Sequence, residues 1–360
     1  MSVNLSVLSF LISFFACFII VEVFRVSKSK IMADTDYGPQ KFHNKPTSRV
    51  GGIAVFLATV ISLIVLYFIR KDVDVIYFVI ASLPAFLSGF FEDITKKIKP
   101  KVRLSMAMLS ALVGVFLLSA IVPRVDIGFI DNLLKFNLIA IIFTVFAVSG
   151  VTNSMNIIDG YNGLLSMVSA IILIGLAYVS FKVHDPFLMT NCLVLIGAIA
   201  GFFVWNYPFG KIFMGDGGAY FIGFSIAELS IMLINRHNNV SAWFPFLLVI
   251  YPVFETLFSI YRRKFVKKRS PTQPDSFHLH QLIYERIVPI VYNIKRDNKL
   301  SRNSATSPFL WLICSVGVIP AVVFWNNTVA LEIAAVIFCI IYIYLYVSIV
   351  KFKFGKFFRK

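Results

Sequence analysis

"LKFNLIAIIFTVFAVSGVTNSMNIIDGYNGLLSMVSAIILIGLAYVSF", residues 134–181, is two apolar runs joined by a polar one. The connection, 153–163, carries three Asn, one Asp and two Gly and has no Lys or Arg. Each flank, 134–151 and 164–181, approaches the length of about 20 apolar residues that a helix needs to cross a bilayer. The whole chain agrees with that reading. It is 58% hydrophobic and 14% charged, with 38 Phe and a mean hydropathy of +0.83, where soluble domains hold about 25% charged residues.

Working outward from this pair, the same template gives eleven candidate spans. They lie near 5–24, 51–69, 75–91, 104–122, 134–151, 164–181, 188–206, 218–235, 242–262, 307–325 and 328–350. The expected fold is all-α, a polytopic membrane bundle of about eleven transmembrane helices forming one domain over 1–360, with 263–306 as a long loop. The first run has no positive residue ahead of it and no small-residue cleavage pattern behind it, so it reads as a retained helix. Cys17, Cys192, Cys314 and Cys339 all fall in apolar segments without metal-type spacing and read as buried small hydrophobes.

The basic residues sort to one side. Of 34 Lys and Arg, 28 fall in the loops after odd-numbered spans or in the C-terminal tail. By the positive-inside bias the N-terminus is outside, and the C-terminus and these loops are cytoplasmic. The net charge of +16 then faces anionic membrane lipid, and nucleic acid is not an expected partner.

Nine of the 18 acidic residues share that side, several in short stretches rich in Gly, Asn or His. "GFFEDITKKIKPKVRL" (89–104) ends a span on Glu92 and Asp93 and continues into basic residues up to Arg103. It reads either as an ordinary helix end or as carboxylates that hold a metal or take a proton near a phosphate. In 153–163, Asn153, Asn156, Asp159 and Asn162 stand ahead of the next span, where i, i+3 spacing lets side chains converge on one side of a helical turn. In "FMGDGGAYFIGF" (213–224), Asp216 sits among glycines before an apolar helix. That is an N-cap, or a carboxylate suited to Mg²⁺ shared with substrate phosphates. "RSPTQPDSFHLHQLIYER" (269–286) holds His278 and His280, which lack the further ligands a zinc site needs and can donate to a phosphate or sugar beside Arg269. The acidic residues on the other side, Asp72, Asp74, Asp126, Asp131 and Asp185, read as solvated loop charge.

Together "HNKPTSRVGG" (43–52), the Glu92–Asp93 pair, "NSMNIIDGYNGL" (153–164), "MGDGGAYFIGF" (214–224) and "HLHQ" (278–281) resemble the polyprenyl-phosphate N-acetylhexosamine-1-phosphate transferases, a glycosyltransferase 4 type of family. Members start cell-surface polysaccharides, lipopolysaccharide O-antigen among them, and peptidoglycan precursors on undecaprenyl phosphate. The resemblance implies transfer of a sugar-1-phosphate from a UDP-N-acetylaminosugar to undecaprenyl phosphate, release of UMP, and dependence on Mg²⁺, with Mn²⁺ as a substitute. It places the enzyme in the bacterial inner membrane with its site on the cytoplasmic face, and implies a homodimer by analogy. Carried over by position, Asp216 and Asn156 would hold the metal, and Glu92, Asp93 and Asp159 would be catalytic. Arg103, Asn153, Asn156, Asn162, Phe213, His278 and His280 would bind substrate, with Phe213 against the uracil.

Three positions depart from the family pattern. Glu92 replaces the usual first Asp of the pair, Asn162 replaces an acid common in relatives, and Gln281 replaces the last His of His-x-His-His. The last departure argues for the aminosugar branch over the muramoyl-pentapeptide branch. A membrane transporter is the rival from another class, since intramembrane carboxyls such as Glu228 and Glu255 often mark a pathway. No internal repeat supports it, and both Glu residues read as structural polarity.

Overall fold

The computed structural model describes residues 2–27, 33–34, 47–266, 277–294 and 298–351. Arg269, Asp275 and all of "HNKP" (43–46) therefore lie outside the described residues. Among those described, ten helices are long and apolar enough to cross a membrane. They are α1 (Ser2–Ser27), α2 (Gly51–Arg70), α3 (Asp74–Thr95), α4 (Pro100–Leu118), α6 (Asn137–Ile158), α7 (Leu164–Lys182), α8 (Pro186–Asn206), α9 (Gly215–Arg236), α14 (Lys299–Val323) and α15 (Thr328–Val350). The chain is an all-α polytopic membrane protein. Its β structure among the described residues is a two-residue ladder of β1 (Ala33–Asp34) with β2 (Thr47–Ser48) and a parallel bridge from Ser48 to Ile212, and short α5 (Gly128–Leu134) precedes α6.

The expected span 242–262 is not one helix. It divides into α10 (Trp243–Leu248) and α11 (Ile250–Tyr261), and a π-helical turn, Arg262–Val266, follows. Pro252 has no N–H to give the carbonyl of Leu248, and its ring crowds that carbonyl, so the ladder breaks at Val249. Four boundaries also move. α6 runs on to Ile158, α4 starts at Pro100, α9 starts at Gly215, and α14 starts at Lys299 and takes 299–306 out of the long loop. In the remaining part of that loop, α12 (Leu279–Leu282), a second π-turn (Ile283–Ile287) and α13 (Val288–Val291) make a short helical run.

α9 is the axis of the bundle. It packs against α3, α6, α2, α4 and α7 and is buried along its length, as expected of a helix that is apolar on all sides. The α3–α9 approach is made by glycine: a Cβ on Gly89 would fall 2.4 Å from the Asp216 backbone carbon. Between α2 and α9, one on Gly52 would fall 2.3 Å from the Gly218 nitrogen.

One end of the bundle is tied by the acids read as solvated charge. Asp126 accepts from the Ala242 N–H at 2.8 Å and the Ser241 hydroxyl at 3.1 Å. Asp185 caps α8 through the Leu188 N–H at 2.9 Å and meets His237 at 3.0 Å. Asp131 accepts from the Val125 N–H at 2.7 Å. These residues fasten loops because helix ends away from bulk water need partners for their backbone groups.

Candidate active site

The other end gathers the start of α2, the end of α3, the start of α4, the end of α6 and the start of α9. Residues 47–52 guide the chain into α9. The Phe213 N–H donates to the Ser48 carbonyl at 2.8 Å, and the Gly51 and Gly52 N–H groups donate to the carbonyls of Phe213 and Met214 at 2.9 and 2.8 Å. Gly215 then turns with φ +76°, and a Cβ there would fall 1.9 Å from the Arg49 carbonyl oxygen. Only glycine meets both demands.

Asp93, 2% exposed, caps α9 from the neighbouring helix. Its two carboxylate oxygens accept from the Asp216 and Gly217 N–H groups, each at 2.9 Å. The Asp216 carboxylate is thereby set facing three donors. Asn156 Nδ2 donates to it at 2.9 Å, Arg103 pairs with it directly, and the Arg49 guanidinium lies 3.9 Å away and 3.8 Å from Asp93. Arg103 also lies over the ring of Tyr220, 5.7 Å from its centroid, and the Tyr220 hydroxyl donates to Asn153 at 3.4 Å. Asp159, at the end of α6, is crowded by protein although part of its surface stays open. Burial pushes its carboxyl up to about 7, against the pull of the Arg49 charge.

The polar stretch 153–163 is not a loop leading into α7. Asn153 and Asn156 occupy the last turns of α6, three residues apart on one side. The helix continues through them because that side meets α9 and the polar cluster instead of lipid. Asp159–Gly163 forms the turn itself, and Gly163 (φ +73°) opens α7.

Other expected site residues divide. Glu92 points away from Asp93, and its carboxylate accepts the Ile98 N–H at 2.7 Å, closing the turn into α4. The longer Glu arm suits that reach. Asn162 is 2% exposed and tied on every side. Its N–H donates to Asn303 Oδ1 at 2.8 Å, its Nδ2 to the Pro208 carbonyl at 3.1 Å, and its carbonyl accepts from Ser307 Oγ at 2.6 Å. It staples α14 to the 159–163 and 206–210 turns. Phe213 stands half-buried one residue before the Met214–Gly215 turn.

His278 and His280 stack in parallel, centroids 5.2 Å apart and planes 6° apart. His280 meets the Tyr161 ring edge-on at 5.6 Å, and a Cβ on Gly160 would fall 3.6 Å from its Nε2, so the pair borders the 159–163 turn. Gln281 acts locally, its side chain accepting the His278 N–H at 3.1 Å in a reciprocal cap of α12. Sequence reasoning missed Arg49, although it lies within the quoted "TSRVGG", and missed Tyr220 and the contacts of Glu255.

What the cluster can hold follows from its donors. Mg²⁺ takes one or two carboxylates and fills its shell with phosphate oxygens and water. Asp216 beside the Asn156 amide is such a partial set, and the guanidinium groups now on Asp216 show that this carboxylate attracts a cation. Among the described residues no group of three His, Cys, Asp or Glu side chains forms a closed metal site. The residues present fit a hard dication whose shell is completed by other oxygen ligands.

Comparison with known proteins gives similarity along most of the chain. A probable undecaprenyl-phosphate N-acetylglucosaminyl 1-phosphate transferase of Bacillus subtilis is 27% identical over 316 residues, covering 85% of this chain and 86% of its own. An undecaprenyl-phosphate alpha-N-acetylglucosaminyl 1-phosphate transferase of Thermotoga maritima is 28% identical over 69% of this chain and 72% of its own. A phospho-N-acetylmuramoyl-pentapeptide-transferase of Staphylococcus haemolyticus is 26% identical over 74% and 86%. The profile of glycosyl transferase family 4 matches residues 75–234, the stretch from α3 through α9 that supplies Asp93, Arg103, Asn156 and Asp216. The chain is thus similar to glycosyl transferase family 4 over its central helices and to these transferases over most of its length.

Proposed function

We propose that this protein transfers an N-acetylhexosamine-1-phosphate from a UDP-sugar to undecaprenyl phosphate, with release of UMP, to start a cell-surface polysaccharide. The observation that carries the reading is the Asp216 cluster: one carboxylate at the start of a buried helix, fixed by Asp93 and flanked by Arg49, Arg103 and Asn156. The names of the relatives supply the substrate class. The aminosugar branch is favoured over the muramoyl-pentapeptide branch by the "HLHQ" pattern and by the wide coverage of the Bacillus relative. The one-sided Lys and Arg distribution supports a cytoplasmic position for the site.

Phosphoryl transfer asks the protein mainly for positioning and charge neutralisation. An oxygen of the lipid phosphate forms a bond to the β-phosphorus of the UDP-sugar, the bond from that phosphorus to the bridging oxygen breaks, and UMP leaves with the electron pair. A phosphate monoester with a second pKa of about 6 is mostly dianionic at neutral pH, so the nucleophile needs no strong base. Both oxygens of Asp93 and one of Glu92 are engaged with backbone N–H groups, which supports an orienting role for them over proton removal. A bound Mg²⁺, held by Asp216 and Asn156, would offset charge on the diphosphate. Arg103 and Arg49 supply fixed positive potential beside it, and His278 and His280 supply further polar contacts at the rim.

The test uses membranes carrying the protein, given Mg²⁺, undecaprenyl phosphate and a panel of UDP-aminosugars. Lipid-dependent UMP release with one donor, lost on EDTA treatment and in Asp216→Asn, is the expected result. Absence of UMP with every donor, the protein being intact, would sink the proposal.

A further inference from the structure

Glu255 lies on α11 and is 1% exposed. A carboxylate so deeply placed is costly unless its oxygens are met by donors. Here they are. Oε1 accepts the Leu279 N–H at 3.1 Å and lies 2.9 Å from His278 Nδ1, while Oε2 accepts the Tyr342 hydroxyl of α15. An ionised carboxylate only accepts, so the 2.9 Å contact assigns the ring proton to Nδ1, and that nitrogen donates to Glu255 instead of serving as the acceptor for the Gln281 N–H in the α12 cap. The ring is thereby oriented, with Nε2 on the side turned away from the carboxylate. The constraint passes on, because His278 lies flat on His280, which borders Gly160 and Tyr161 in the turn beside Asp159.

We propose that Glu255 is a positioning residue for substrate binding: with Tyr342 it fixes the tautomer and plane of His278, and through the stack that of His280, so that both imidazoles hold one orientation toward an anionic diphosphate-sugar. This rests on the transferase reading for its ligand, but the orienting step is independent of it. A carboxylate that holds a metal-ligating histidine by its second nitrogen typically accounts for about a 10- to 100-fold effect, and the same scale is taken here for a histidine that meets an anion. The same logic orients the imidazole of acyl-transfer triads.

The experiment uses the full-length protein in detergent. Glu255→Gln is expected to raise KM for the UDP-sugar by about 10-fold or more, with KM for the lipid phosphate little changed. On a His278→Ala background the same substitution is expected to cost almost nothing, since residues acting as one unit are not additive. Independently of activity, ¹⁵N-histidine spectra, with His278 assigned by its loss in His278→Ala, are expected to show a protonated Nδ1 in the wild type and a changed signature in Glu255→Gln. An unchanged His278 signature, or full additivity of the two substitutions, would overturn the proposal. If Glu255→Gln does not fold, Tyr342→Phe is read in the same way: a changed His278 signature supports the proposal, and an unchanged one defeats it. A wild type inactive with every donor but showing the expected signature would defeat the transferase reading and leave the orienting role standing.

Discussion

Asp93→Asn separates a positioning acid from a chemical one. In the native protein the two oxygens of Asp93 accept from the Asp216 and Gly217 N–H groups at 2.9 Å, inside the bundle. Bonds to an ionised acceptor contribute about 1.5–3 kcal/mol each and neutral ones about 1. Asparagine keeps one oxygen, so one bond is reduced to the neutral kind, at a loss of about 1 kcal/mol. Its amide nitrogen faces the second N–H donor to donor, which forfeits that bond and leaves a buried N–H unpartnered, at about 2 kcal/mol more. The sum is about 3 kcal/mol, concentrated on the first turn of α9. The assay pairs thermal unfolding in detergent with hydrogen exchange over 213–219 and with UMP release. A lowered apparent Tm, loss of protection at the amides of 216 and 217, and loss of activity are expected together. An inactive variant with unchanged Tm and unchanged protection would refute this account and return Asp93 to the role of a base.

Two further outcomes follow from the same end of the bundle. The folded-state pKa of Asp159 is raised from the ordinary 3.8 to about 7, so over that interval the folded protein binds more protons than the unfolded chain. Its contribution is complete below about pH 4 and is lost as pH rises through about 7. Asp159→Asn is therefore expected to flatten the fall of apparent Tm between about pH 5 and 8, and parallel curves for variant and wild type would contradict the assignment. Gly52→Ala places a methyl group 2.3 Å from the Gly218 nitrogen, a backbone atom that cannot turn aside. Separating α2 from α9 is expected to cost about 1–3 kcal/mol and to reduce UMP release, whereas native Tm and turnover would show that the two helices have room to part.

Ten of the eleven expected spans were legible because bilayer crossing is a matter of length and apolarity, both of which are written locally, while the break in 242–262 was not. Asp216, Asn156, Arg103 and Asp93 were legible as a group because each stands out against an apolar background on the same side. What could not be read is what each polar atom faces. Asn153 and Asn156 look like loop residues by composition, yet helix persists wherever its polar side meets protein. Glu92 and Asp93 are adjacent in sequence and a helix turns them apart, so one closes a local turn and the other reaches α9. Asn162 reads as a ligand contact, and it is consumed by α14 and the 206–210 turn, whose partners lie 141 and 46 residues away. Glu255 reads as bundle polarity for the same reason, since its partners His278 and Tyr342 come from elements 23 and 87 residues further on.

The burial of α9 explains why two aspartates stand at its start. A helix that starts inside a bundle has N–H groups that water cannot reach, and leaving them bare costs as much as several good contacts provide. The Gly215–Gly218 run lets α2 and α3 close over that start, which removes water and creates the need. Asp93 meets it from the side. Asp216, whose own side chain would otherwise be drawn back to cap its helix, is left facing Arg49, Arg103 and Asn156. The glycines and Asp93 thus act as one device that turns a single carboxylate toward these side chains, where the proposed function would place its cation. This reasoning ranks the two acids: exchanging Asp216 for Asn should spare the fold and remove the proposed cation, while exchanging Asp93 should lose the geometry on which both depend.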